Sequence, residues 1–268
     1  MQQIIISLII AIVLQIIFFI PANKQKTDKF TDLTYGLSFI LIALFIIIFN
    51  RITYGKILLF AMIFTWALRL ILFLTHRIKK TGKDPRFDKI RNNPIKFLSF
   101  WLMQGIAVWI IMIPAIFYLS SDRLGFNIFT ILGFLIWIAG LIIEEKADQQ
   151  KSGNKKKDSW VFTGLWKYSR HPNYFGEIMC WLGIYIFTLS TLTGLNAIMG
   201  IISPLFIIIL LVFVTGIPKL ELYYNRKFSA SKEYKEYKKR TSILIPWCPK
   251  KSRISKKQKI FLKNKEKN

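Results

Sequence analysis

Residues 97–119 read FLSFWLMQGIAVWIIMIPAIFYL, 23 consecutive positions without an Asp, Glu, Lys or Arg. At about 1.5 Å of rise per residue, a helix of about 20 apolar residues crosses a hydrocarbon core of about 30 Å. This stretch therefore reads as a membrane crossing. Working outward, similar stretches lie near 4–20, 33–49, 57–75, 126–143, 174–190 and 197–217. Seven such spans fill most of the 268 residues, which predicts an all-α membrane protein of about seven transmembrane helices. The first span has no Lys or Arg before it and no small-x-small cleavage pattern before Pro21-Ala22-Asn23, so it is expected to be retained rather than removed as a signal.

Composition agrees with that reading. The chain is 53% hydrophobic, yet 39 Lys and Arg against 14 Asp and Glu leave a formal charge of +25. A histone-like basic protein would be poor in Phe and Ile, whereas 23 Phe occur here. Charge and apolar surface must therefore occupy different segments. Two cysteines, Cys180 and Cys248, argue against a disulfide framework or a cysteine-rich metal site. Two histidines, His76 and His171, are too few for a di-iron oxygenase built from His boxes. No metal is expected.

The connecting segments set an orientation. Segments 21–32, 76–94, 144–173 and 218–268 hold 34 Lys and Arg, and the alternate segments hold three. By the positive-inside rule the amino terminus is outside and the basic carboxyl tail is in the cytoplasm. The sequence divides into a first helix with a short cytoplasmic loop (1–30), a multi-pass domain (31–247) and a Lys-rich tail expected to be disordered (248–268). Within the carboxyl region, 219–240 mixes Tyr and Phe with charge as an interfacial helix would. The basic cytoplasmic face is expected to contact anionic lipids, with no role in nucleic-acid binding.

The chemistry concentrates in Gly164-Leu165-Trp166-Lys167-Tyr168-Ser169-Arg170-His171-Pro172-Asn173-Tyr174-Phe175-Gly176-Glu177. Pro172 suits the first helical position, where a missing N–H costs nothing. The free backbone donors of that helix then lie just after Arg170 and His171, an arrangement suited to phosphate. Asn173 and Glu177 share a helix face, and Gly176 permits close approach of a neighbouring helix or a flat ligand. Glu177 lies in an otherwise apolar span, where an unpaired carboxylate is costly, so it should face a polar cavity or a partner. Three further polar groups join it: Asp84-Pro85-Arg86-Phe87 with Arg77 and Arg69; Glu144-Glu145 with Asp148; and Tyr234, Tyr237, Lys238, Lys239 and Arg240 before Ile245-Pro246-Trp247. All four fall on the cytoplasmic side, which suits a polyanionic cofactor. No G-x-G-x-x-G, G-x-x-x-x-G-K-[ST] or H-E-x-x-H motif is present, so a nucleotide cofactor would be bound in a non-Rossmann manner.

The 164–177 stretch closely resembles the carboxyl-terminal domain of the steroid 5α-reductase superfamily, including its bacterial membrane members. Asp32-Leu33-Thr34-Tyr35-Gly36, Trp66 with Arg69, Asp84-Pro85-Arg86-Phe87, Ala147-Asp148-Gln149, Gly216-Ile217-Pro218 with Glu221, and the Tyr-Lys-Lys-Arg-Thr-Ser-Ile-Leu-Ile-Pro run extend the likeness across most of 30–247. The resemblance implies a membrane reductase, in a bacterial inner membrane, that binds NADPH from the cytoplasm and delivers hydride to the activated C=C bond of a steroid-like or other lipid enone. Carried over by position, Asp148, Arg170, His171, Asn173 and Glu177 would hold the cofactor, with Tyr168, Arg86, Tyr237 and Arg240 as further contacts. On the catalytic side Asp32 matches the family carboxylate. Trp66 stands where a Tyr is expected, which leaves Tyr35 as a substitute proton donor. Two alternatives stay open: an S-adenosylmethionine-dependent methyltransferase of the isoprenylcysteine or phospholipid type, which shares Arg-His-Pro-x-Tyr-x-Gly, and a non-catalytic lipid-binding membrane protein.

Overall fold

The computed structural model describes residues 2–82, 84, 87–123, 125–154 and 160–250. Arg86 and the tail beyond Lys250 lie outside the described residues. The structure is 76% helix, and among the described residues there is no strand. The helices are α1 (Gln2–Lys24), α2 (Thr31–Ile48), α3 (Tyr54–Thr81), α4 (Pro94–Ser120), α5 (Ile128–Ser152), α6 (Pro172–Thr188), α7 (Gly194–Gly200), α8 (Ile202–Ile209), α9 (Ile217–Lys227) and α10 (Lys232–Arg240).

Local chemistry explains the boundaries. Asn93 caps α4 by accepting from the Lys96 N–H at 3.0 Å, and Pro94 follows where no N–H is required. Thr53 and Ser231 cap α3 and α10 in the same way, at 3.3 and 3.1 Å. The α3 helix stops at Gly82, whose φ of 78° is open to glycine at little cost.

Among the described residues, six helical runs are long and apolar enough to cross a membrane: Gln2–Lys24, Thr31–Ile48, Tyr54–Lys79, Pro94–Ser120, Ile128–Ser152 and Gly194–Lys227. The span expected near 174–190 corresponds to α6, which has 17 residues and therefore rises only about 25 Å. Six is thus the number carried by length and hydropathy, against the seven read from the sequence. The run Gly194–Lys227 is irregular: α8 passes through a π-helical turn, Leu210–Val214, before Pro218 opens α9. At that turn both the N–H and the hydroxyl of Thr215 donate to the Leu210 carbonyl, at 2.8 and 3.0 Å, which satisfies the irregular backbone within the chain.

The chain divides into two compact units. The first comprises Met1–Trp137 and Trp181–Ile207, in which α1 packs on α4 and α2 packs on α1, α3 and α4. Its core holds three mutually contacting rings: Phe39 to Trp66 at 5.2 Å, Phe39 to Trp181 at 5.0 Å and Trp66 to Trp181 at 5.0 Å, all fully buried. Neutral hydrogen bonds tie the helices together. Gln104 donates to Gln15 Oε1 at 3.1 Å and to the Thr31 carbonyl at 3.0 Å, and Gln15 donates to Ser38 at 3.1 Å. In hydrocarbon each such bond is worth about 0.6–2 kcal/mol.

The second unit comprises Ile138–Cys180 and Ile208–Asn268. Here α5 and α6 approach at Gly140 and Gly176: a Cβ on Gly176 would lie 2.7 Å from the Gly140 carbonyl and 2.6 Å from the Glu144 nitrogen. Only glycine admits that backbone contact, so of the two roles open to Gly176 from the sequence, the structure displays the close approach of a neighbouring helix.

Candidate functional site

In the second unit, the turn before α6 is built from both flanking directions. Gly164, at φ 59°, opens a 3-10 turn, Gly164–Lys167, that is fixed to α5: the Leu165 N–H donates to Gln150 at 3.0 Å, and Trp166 Nε1 donates to the Ala147 carbonyl at 3.1 Å. The segment following α10 then runs alongside residues 168–170. Arg170 N–H donates to the Ser242 carbonyl at 2.8 Å, Ser169 Oγ donates to the Leu244 carbonyl at 2.6 Å, and Trp247 N–H donates to the Tyr168 carbonyl at 3.0 Å. Pro172 is the first residue of α6, as its fixed φ predicts.

This scaffold presents Arg170 and His171 to Glu221 on α9. Arg170 Nη1 donates to Glu221 Oε2 at 2.5 Å, His171 Nε2 lies 3.1 Å from Oε1, and Lys238 Nζ on α10 lies 3.4 Å from Oε2. The Arg170 and Glu221 side chains are only 13% and 15% exposed, and that of His171 3%. Burial holds the His171 imidazole below its ordinary value, and Arg170 and Lys151 push the same way, against Glu221. With His171 neutral, Arg170 and Lys238 outweigh Glu221 by one positive charge. Tyr237 donates to the Trp166 carbonyl at 2.8 Å, and burial raises its phenol so that it stays protonated. Burial likewise pushes the Tyr234 phenol up to about 12.

Two buried donor or acceptor positions in the cluster have no hydrogen-bond partner: Arg170 Nε and His171 Nδ1. Buried polar atoms of this kind ordinarily find one, so the cluster retains capacity for a ligand's polar groups. With Nε2–H donated to Glu221, His171 Nδ1 would be an acceptor; with the other tautomer it would be a donor. An anion with several oxygens is matched by the surplus charge and the guanidinium.

The remaining expected residues divide. Asp148 is buried on α5, and Asn173 and Glu177 are half-buried on α6, in the same unit as the cluster. Arg240 is directed elsewhere, its Nε donating to the Lys250 carbonyl at 3.1 Å. The Tyr168 ring is exposed, with Lys167 Nζ 5.9 Å from its centroid. Asp32, Tyr35 and Trp66 belong to the first unit. There Asp32 is paired with Arg77 at 3.3 Å, and Arg77 also reaches Asp84 at 3.4 Å. Tyr35 stands edge-on to Phe39 at 5.1 Å, while Trp66 is enclosed in the aromatic core.

Of the residues at the centre of the cluster, Glu221 is not among the expected site residues, whereas Lys238 belongs to one of the four polar groups expected on the cytoplasmic side. Glu221 left a signal: it is the one acid between 194 and 232, placed just after a long apolar run among Lys219, Arg226 and Lys227.

Neither a curated protein nor a solved structure matches the chain. A family described as "Protein of unknown function (DUF1295)" matches residues 18–241, and that family is related to steroid 5α-reductase-like proteins. With more than four-fifths of its length inside that match, the chain belongs to the DUF1295 family.

Proposed function

We propose that the chain is a membrane-embedded reductase that binds NADPH from the cytoplasmic side and reduces the activated C=C bond of a lipid enone. The observation that carries this reading is the Arg170–His171–Glu221–Lys238 cluster at the start of α6, with its surplus positive charge and its spare buried polar atoms. Arg170 and Lys238 would bind phosphate oxygens, and Arg170 can do so bidentately. His171 would hydrogen-bond through Nδ1, and Asn173, Glu177 and Asp148 would hold the neutral parts of the cofactor.

When bound, NADPH supplies the hydride. An enone that accepts hydride at its β-carbon gathers negative charge on its carbonyl oxygen, and a proton donated to that oxygen lowers the barrier. Tyr35 is the better donor in the first unit, because the Asp32 carboxylate is engaged by Arg77. Trp66 can donate one hydrogen bond but no proton, and its full burial suits packing rather than chemistry. The topology belongs to the same proposal: amino terminus outside, carboxyl tail in the cytoplasm of a bacterial inner membrane. Exposed Leu222 and Tyr223, together with Lys219, Arg226 and Lys227, give α9 a face for anionic lipid.

One feature favours a second reading. Arg170 and Glu221 side by side also suit the carboxylate and ammonium of an amino acid, as in S-adenosylmethionine, and so a methyltransferase. Thermal unfolding of the purified protein with NADPH, NADH and S-adenosylmethionine separates the readings. A ligand at 100 times its Kd adds about 2.7 kcal/mol of stability. Stabilisation by NADPH that Arg170→Ala abolishes, with oxidation of NADPH in the presence of enone lipids, supports the reductase. Stabilisation by S-adenosylmethionine alone overturns it in favour of the methyltransferase, and no response to any of the three leaves the lipid-binding reading.

A further inference from the structure

In the first unit, three connections meet: the turn before α3, the turn after α4 and the turn after α6. A Cβ on Gly55 would overlap the Tyr118 hydroxyl, and one on Gly125 would overlap the Thr191 methyl. Arg123 Nη1 donates to Thr193 at 3.0 Å, which ties the second connection to the third. Lys56 lies inside this junction. Its side chain is 1% exposed, and its Nζ has no hydrogen-bond partner.

An ammonium in that position needs an explanation. Its backbone N–H is already used by the Thr53 cap, and the first turn of α3 contains no acid. A lysine there adds positive charge to the positive end of a 28-residue helix, which is unfavourable by itself. Asp122 lies within electrostatic reach but is exposed and makes no hydrogen bond to Nζ, while Arg51 acts on Lys56 with the opposite sign. The hydroxyls of Thr191 and Ser120 are likewise buried without partners. Ile52, Tyr54, Phe126 and Leu195 nearby in sequence present exposed apolar side chains, as at a lipid boundary.

We infer that Lys56 and the amino terminus of α3 bind an anionic phosphate oxygen, from a phospholipid headgroup or from free phosphate. A helix start supplies outward-facing N–H groups, and the buried ammonium supplies the charge. Glycine at 55 keeps the Tyr118 hydroxyl close to this turn. The site is independent of the reductase proposal, since it shares no residue with the Arg170 cluster.

The experiment compares wild type with Lys56→Met, of similar length but uncharged. Native mass spectrometry in phosphatidylglycerol counts retained lipid, and thermal unfolding is followed against inorganic phosphate. The expected result is that wild type retains one phosphate-bearing molecule more than Lys56→Met, with affinity falling about tenfold or more on substitution. Retention of phosphatidylglycerol without a response to inorganic phosphate identifies a headgroup, and the reverse identifies the free anion; either supports the site. Equal lipid retention and equal phosphate response in the two proteins overturn it, with Lys56 then serving only as the partner of Asp122. Should Lys56→Met not fold, Lys56→Gln reads the same affinity with a polar side chain, and unchanged binding there overturns the proposal as well.

Discussion

The cores of the two units solve burial in different ways. Around Phe39, Trp66 and Trp181, the first unit encloses aromatic rings and joins α1, α2 and α4 through uncharged amides and hydroxyls, beside acid–arginine ion pairs such as Asp32–Arg77 and Asp28–Arg91. Around Glu221, the second unit encloses a carboxylate with a guanidinium, an imidazole and an ammonium. A ring cluster loses contacts in proportion to the volume removed. A charge cluster loses its balance when one member goes, because the others remain buried with uncompensated charge. The first arrangement is therefore suited to shaping an apolar space, and the second to exchanging one anion for another.

Substitutions at four positions sharpen that contrast. The largest effect is expected from Trp66→Ala, a cavity at the meeting point of three rings, which should cost about 4 kcal/mol in unfolding followed in detergent. Trp66→Phe should recover most of that loss; equal damage from both would mean that the indole N–H rather than the volume matters. Next is Glu221→Gln, which keeps shape but leaves Arg170 and Lys238 without their acid, at a cost of about 3 kcal/mol. If the charges rather than the volume are decisive, adding polyphosphate anion should restore part of this loss, and should do nothing for Trp66→Ala.

Gln104→Leu should cost about 1 kcal/mol, since it removes two neutral interhelical bonds in an apolar setting. A loss as large as that of Glu221→Gln would erase the distinction between the units. The smallest effect concerns pH. Burial holds His171 below its ordinary value, about 6.5 for an exposed histidine. The unfolded chain then takes up the proton first, so stability is full above about pH 6.5 and declines as the pH falls toward the lowered folded value. His171→Asn should remove that part of the acid-side slope while leaving stability at pH 8 close to that of a simple loss of one hydrogen bond. An unchanged slope would show that the imidazole is accessible to water.

Much of this architecture is legible along the chain. Long uncharged runs, and the segregation of Lys and Arg into alternate connections, determine that helices cross a membrane, because backbone groups in hydrocarbon must be satisfied within the helix itself. Pro172 at the head of α6, and Gly176 as a point of close approach, follow from the constraints of proline and glycine alone. The sequence also places Arg170 and His171 beside one another at a helix start.

What it does not determine is their partner. Glu221 is 50 residues away and Lys238 further still, and nothing in local propensity selects them over Asp148 or Arg240, since pairing at that separation is decided by how α9 and α10 return. The same holds for Asp32, which the tertiary structure gives to Arg77, and for Arg240, whose guanidinium goes to a backbone carbonyl. Lys56 looks in the sequence like one more charge at the end of a span, yet packing of three turns encloses it. Periodicity and hydropathy act over one or two helical turns and so are written locally, whereas which charges neutralise each other, and which are left seeking a ligand, depends on contacts that exist only after the helices have packed.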